Sequence, residues 1–183
     1  NMSESYTTPV PTDEVELIIG NSNSNFSGVT STMLQVLSYQ RDMINLRVMG
    51  KHFLSDQSLA INFWQTAWMC RKPLKNGKWR IFHARRVDEM IQGVILKYLF
   101  RAKIKLVFSS AAQRHRSGST LWLTRQMDGV IAVSNRSASY LAEPPAMINP
   151  HGVQIENYSP APDKVKAWQA LGYGGKYGIG ILG

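Results

Sequence analysis

Six short apolar runs, rich in β-branched residues, recur between stretches of helical periodicity: VELIIG (Val15 to Gly20), NLRVM (Asn45 to Met49), WRIF (Trp79 to Phe82), IKLVF (Ile104 to Phe108), GVIAV (Gly129 to Val133) and AMIN (Ala146 to Asn149). Runs this short and this continuously apolar suit strands buried on both faces, the situation of a parallel sheet. Between them Val29, Met33, Val36 and Leu37 fall at helical spacing, as do Val87, Ile91, Val94, Ile95, Tyr98 and Leu99. The stretch from Ser55 to Met69 also reads as helix. Strand and helix in regular alternation predict an α/β fold: a Rossmann-like, mostly parallel sheet with helices on both faces and right-handed connections.

The 183 residues, 44% of them hydrophobic, suffice for one cored domain and part of another, at about 150 residues per domain. We expect residues 1–14 to be a disordered tail and 15–158 to be the Rossmann-like domain. Residues 159–183 read as a linker helix, capped by Asp163 and closed by Gly172, followed by the first strand of a second domain. That strand, Tyr177 to Leu182, lies inside the closing GYGGKYGIGILG, whose last six residues spell G-x-G-x-x-G. The spacing binds a dinucleotide only where a strand turns into a helix, so here we read it as strand.

Twenty-one Lys and Arg against twelve Asp and Glu leave a net charge of +9, which favours an anionic partner. Much of the charge lies in CRKPLKNGKWR, HARR, RAKIK and QRHR. The single Cys70 forms no intramolecular disulfide, and the four histidines are far apart with no C-x-x-C, so no zinc signature is present. There is no P-loop, no G-x-S-x-G and no apolar run long enough to span a membrane.

Ligands of open α/β sheets bind beyond the carboxyl ends of the strands, so the residues after each run are the candidates. After the first run, Ser27, Gly28 and Val29 open a helix whose free amides favour an anion, although Ser27 is equally readable as an ordinary cap. After WRIF come His83, Arg85 and Arg86: an imidazole suited to a sugar hydroxyl or a proton, and two guanidinium groups suited to phosphate or carboxylate. After IKLVF comes the polar and basic stretch from Ser109 to Arg116, which holds Ser110, Gln113 and Arg114, and after GVIAV comes Ser134, which reads as the cap of a helix from Arg136 to Leu141. His151 and Gly152 follow the last run.

At NPHGVQIENYSPAP the sequence resembles the hinge segment of retaining glycosyltransferases of the two-domain GT-B fold, family 4. NFSGVTSTM, IFHARRVDEMIQG, LVFSSAAQRHRS, TRQMDGVIAVS and GYGGKYGIGILG extend the likeness, and together they resemble bacterial lipopolysaccharide-core mannosyltransferases. The resemblance implies the N-terminal, acceptor-side half of such an enzyme. It implies a sugar-nucleotide donor, GDP-mannose, no metal or other cofactor, and an anionic glycolipid acceptor of the Kdo-lipid A type. By position it implies a catalytic role near the transferred sugar for His83 and a donor-phosphate loop at Ser27, Gly28 and Val29. It places Arg85, Arg86, Ser110, Gln113 and Arg114 on the acceptor side and His151 and Gly152 at the interdomain hinge. It further implies a cytoplasmic enzyme in peripheral contact with the inner membrane surface, with no nucleic-acid partner, and inactive without its second domain. The rival reading from charge alone is a non-catalytic basic module that binds nucleic acid or anionic lipid.

Overall fold

The computed structural model describes residues 11–152, 160–172 and 175. In chain order they form β1 (Leu17–Gly20), α1 (Gly28–Met43), β2 (Leu46–Met49), β3 (Ala60–Ile61), α2 (Phe63–Met69), β4 (Arg80–Ala84), α3 (Val87–Val94), β5 (Ile104–Ser110), α4 (Gly118–Arg125), β6 (Gly129–Ala132), α5 (Asn135–Ala138), β7 (Met147–Ile148) and α6 (Lys164–Ala170). The strands make one sheet in the order β3-β2-β1-β4-β5-β6-β7, and every described pair is parallel. The chain leaves β1 in one direction, to β2 and β3, then returns to the other side of β1 to lay down β4. The carboxyl ends of β1 and β4 therefore flank the topological switch point, where an open sheet forms its crevice.

Alternation along the strands builds two cores. Leu17 and Ile19 of β1, with Leu46 and Val48 of β2, pack against Met33 and Leu37 of α1. The opposite face carries Ile18, Met49, Phe82, Leu106 and Phe108, covered by Ala67 of α2, Met90 of α3 and Leu123 of α4. Side chains of this size stabilise by about 1.5–3 kcal/mol each when fully buried. Helices thus lie on both faces, as the alternation of runs predicts.

One helix position requires glycine for close approach. A Cβ at Gly93 would stand 2.9 Å from Leu106 Cδ2 and 3.0 Å from Phe82 Cδ1. Its absence lets α3 lie directly on β4 and β5. Beyond Val94 the helix continues as a π-helical turn, Ile95–Leu99.

Three expectations need correction. The stretch from Ser55 to Met69 is not one helix: a 3-10 turn at Gln57–Leu59 leads into β3, and α2 starts only at Phe63. Local side-chain bonds divide it. Asp56 accepts from the Ser58 amide at 3.0 Å, and Asn62 and Gln65 form a reciprocal capping box with both bonds at 2.8 Å. Of the disordered tail expected over residues 1–14, residues 1–10 lie outside the described residues, and Thr12–Glu14 fold as a 3-10 turn. Arg80, 1% exposed, holds that segment by donating to Val15 O at 3.0 Å and Thr12 O at 2.9 Å. Arg80 also donates to Lys72 O, so one of the basic runs supplies an internal strut. Finally, the helix expected from Arg136 to Leu141 is a single short turn, Asn135–Ala138.

Packing divides the chain into two units, Asn1–His151 and Gly152–Gly183. In the second, Asp163 caps α6 by accepting from the Val165 and Lys166 amides at 3.0 and 3.1 Å. The strand expected at Tyr177 to Leu182, and the expected boundary at Tyr158, lie outside the described residues.

Candidate functional site

Beside the switch point the ends of β1, β4 and β5 meet the start of α1. His83, expected just past a strand, is the penultimate residue of β4, aligned with Ile19 of β1 and Val107 of β5. Its Nε2 lies 2.7 Å from Ser109 Oγ, and its Nδ1 has no partner among the described residues. Desolvation first, and the neighbouring Arg85 charge second, push its pKa down to about 3. The imidazole is therefore neutral at physiological pH, able to donate or accept according to its tautomer.

Glu89 organises the turn after β4. Its Oε2 accepts from the Arg85 amide at 2.7 Å and the Arg86 amide at 3.2 Å. Burial pushes this carboxyl up to about 7, against the lowering effect of those two amides and of the Arg85 charge. Its side chain occupies the space a larger residue would need at the end of β1, since a Cβ on Gly20 would sit 2.9 Å from Glu89 Cγ and Cδ.

Arg86 reaches across the switch point to the start of α1, where its Nη2 donates to Ser27 Oγ at 2.6 Å and Thr30 Oγ1 at 2.7 Å. Ser27 holds the position before the helix but makes no capping bond, its hydroxyl being used by Arg86. Arg86 Nη1 and Arg85 Nη1 are both buried without a hydrogen-bond partner. Two buried guanidinium nitrogens lacking acceptors beside the amino end of a sixteen-residue helix form a site prepared for an anion. Burial also lowers the Arg85 pKa from its ordinary value, partly offset by Glu89.

A small cavity of about 20 Å³, the size of one water, joins Val29, Thr32, Arg85, Ser109, Ala111, Val133 and His151. The fold thus gathers Ser27, Val29, His83, Arg85, Arg86 and His151 from three separate strand ends, those of β1, β4 and β7. A Cβ on Gly28 would meet nothing within 4 Å, so packing does not demand glycine there.

Ser110, Gln113, Arg114 and Ser134 lie outside this group. Ser110 is buried on the face of β5 opposite Ser109, where it accepts from Arg116 Nη2 at 2.9 Å. Gln113 and Arg114 are exposed in the loop that follows. Gly152 belongs to the second unit. Ser134 caps α5, accepting from the Ser137 amide at 3.0 Å.

Sequence reasoning missed Thr30 and Glu89, and within the stretch from Ser109 to Arg116 it chose Ser110, Gln113 and Arg114 rather than Ser109, the partner of His83. Glu89 carried a readable signal, an acid in the first helical turn three residues after Arg86, whereas the partnership of Ser109 with His83 spans twenty-six positions and has no local signature.

No family model matches the chain. It is 37% identical over 171 residues, 93% of its length, to the lipopolysaccharide core biosynthesis mannosyltransferase LpcC of Rhizobium leguminosarum bv. viciae. The chain is homologous to lipopolysaccharide-core mannosyltransferases. A second relative of that description, LpsB of Rhizobium meliloti (strain 1021), is 37% identical over 160 residues, 87% of this chain. The chain spans about half the length of these mannosyltransferases, 48% and 45% respectively. Among solved structures, Anabaena Alr3699/HepE in complex with UDP superposes with a TM-score of 0.62 at 16% identity, over 86% of this chain and 50% of that one. The same protein with UDP and glucose gives a TM-score of 0.58 at 18% identity, over 86% and 50% of the two chains. At such identity the likeness establishes the fold, which is that of the Rossmann-like sheet described above.

Proposed function

We propose that this chain is the acceptor-side half of a retaining mannosyltransferase that transfers mannose from GDP-mannose to a lipopolysaccharide-core acceptor of the Kdo-lipid A type. The observation that carries the reading is the pair of buried, acceptor-less nitrogens of Arg85 and Arg86 at the start of α1. The homology to named mannosyltransferases and the complexes of HepE with UDP and UDP-glucose support it.

In this reading the first turn of α1 and the two guanidinium groups receive negative charge, that of the donor diphosphate or of an acidic acceptor. A diphosphate gains charge as the anomeric bond breaks, and cations already desolvated and fixed in place stabilise it without reorganising. His83, held neutral, presents Nδ1 to a sugar hydroxyl while Ser109 orients the ring through Nε2. His151, on the cavity wall, is the last residue of its unit and carries the chain toward the hinge. In this reading the enzyme works on the cytoplasmic face of the inner membrane, where a glycolipid acceptor would be met at the bilayer surface, and it needs the rest of the protein for turnover.

The test is transfer of radiolabelled mannose from GDP-mannose to purified Kdo-lipid A by the complete protein, with UDP-glucose in a parallel reaction. Mannosylated lipid with retained anomeric configuration is the expected product. Absence of transfer from GDP-mannose, or transfer only from UDP-glucose, overturns the donor assignment. His83→Ala should lower turnover at least about tenfold with an unchanged circular dichroism spectrum, and unchanged turnover removes His83 from the site.

A further inference from the structure

On either side of the β4 site residues in the sequence, α2 and the end of the π-helical turn present large apolar side chains to solvent. Trp64 and Trp68, one helical turn apart, are 68% and 76% exposed, and Leu99 is 73% exposed. They are not stray side chains on a mobile loop. Phe100 meets Phe63 edge-on at 5.7 Å and Trp64 at 5.6 Å, which joins α2 to the π-helical turn as one surface. A helix that served only the core would turn polar residues outward, so exposed tryptophans at helical spacing call for a covering partner.

The surroundings indicate which partner. Arg71 stacks over the Trp68 ring at 5.8 Å. The Lys103 amide donates to Cys70 O at 2.6 Å, which sets the exposed Arg101 and Lys103 beside the end of α2. None of these three cations has a carboxylate partner among the described residues. Tryptophan favours the boundary between headgroups and acyl chains, and unpaired Lys and Arg favour anionic leaflets. The chain's +9 charge has the same preference, and no described helix is long and apolar enough to cross a membrane.

We propose that α2 and the turn ending at Phe100 form a docking surface for an anionic phospholipid bilayer. Trp64, Trp68 and Leu99 enter the interfacial layer, and Arg71, Arg101 and Lys103 meet lipid phosphates. The proposal names the surface behind the membrane contact in the reading above, and it rests on that reading only for the lipid nature of the substrate.

The test is co-sedimentation of the complete protein with phosphatidylcholine vesicles, with and without phosphatidylglycerol, together with tryptophan quenching by brominated lipid. Binding that requires phosphatidylglycerol, weakens with salt and quenches tryptophan is expected. Trp68→Ser/Leu99→Ser, at two positions exposed enough to leave the fold intact, should reduce vesicle affinity about tenfold or more. Arg71→Gln/Arg101→Gln/Lys103→Gln should abolish the preference for phosphatidylglycerol. Vesicle binding unchanged in both variants overturns the proposal. So does a dimer that the Trp68→Ser/Leu99→Ser variant dissolves, which would assign the surface to a second copy. Mannosyl transfer to a detergent-dispersed acceptor keeps the two proposals apart. It should persist in Trp68→Ser/Leu99→Ser, and its absence from the unmodified protein would refute the donor reading while the vesicle result stands.

Discussion

Two titratable side chains of the site, half-buried His83 and buried Glu89, respond to pH in opposite senses. The pKa of His83 is depressed from 6.5 to about 3, so the unfolded chain binds the proton more readily and this residue's stabilising effect is lost as pH falls below about 6.5 toward 3. Glu89 is raised from 4.5 to about 7, so its contribution is present below about 4.5 and lost as pH rises through 7. Between 4.5 and 6.5 the two trends oppose each other. Glu89→Gln, which keeps an oxygen for the two amides, should therefore unmask a loss of melting temperature on acidification that calorimetry can follow. His83→Asn should show the reverse, with stability falling from pH 4.5 to 7. Arg86→Ala removes both bonds to α1 and should cost about 1–3 kcal/mol in denaturant unfolding. A cost below about 0.5 kcal/mol would show that the contact from β4 to α1 is incidental.

The elements α3 and α2 show how local chemistry and packing share the decision. Gly93→Val places a branched side chain where even a Cβ is 2.9 Å from Leu106, and it should destabilise by about 1–3 kcal/mol despite occupying a helix. A neutral effect on the melting temperature would mean that α3 can lift from the sheet without cost. Asn62→Ala removes the capping box of α2 and should cost about 1 kcal/mol. The helix over Val87 to Leu99 was legible from its period, but the face it turns to the sheet was not: Met90, Gly93 and Leu96 are buried there, while Val87, Ile91, Ile95, Tyr98 and Leu99 of the expected stripe are exposed. The break at Asn62 was not legible either, because Ser55 to Met69 carries apolar residues at helical spacing and only the side-chain bonds of Asp56, Asn62 and Gln65 end one element and begin the next.

For the whole molecule, the buried cations at the switch point predict how the complete protein should bind an anionic ligand. Affinity for a nucleoside diphosphate should fall about tenfold with Arg85→Met. It should depend on salt less steeply than the binding of a generic polyanion to the surface, because buried charges are screened less than exposed ones. Isothermal titration at two ionic strengths measures both effects. Equal affinity in the variant would place the anion elsewhere.

The parallel α/β architecture followed from the sequence alone, since short continuous apolar runs can be satisfied only where both faces of a strand are covered. The likeness to mannosyltransferases was also legible in order along the chain, and so were candidates such as His83, Arg85 and Arg86 at the strand ends. Tertiary structure decided what those candidates do. Whether a basic residue is a strut, as Arg80 is, or keeps a buried nitrogen without an acceptor, as Arg85 does, depends on which carbonyls and carboxylates the fold brings within reach. The choice between Ser109 and Ser110 at His83 depends on strand alternation and register, which send neighbouring side chains to opposite faces of the sheet. Those partners are far apart in the sequence, and only the closure of the sheet brings them together.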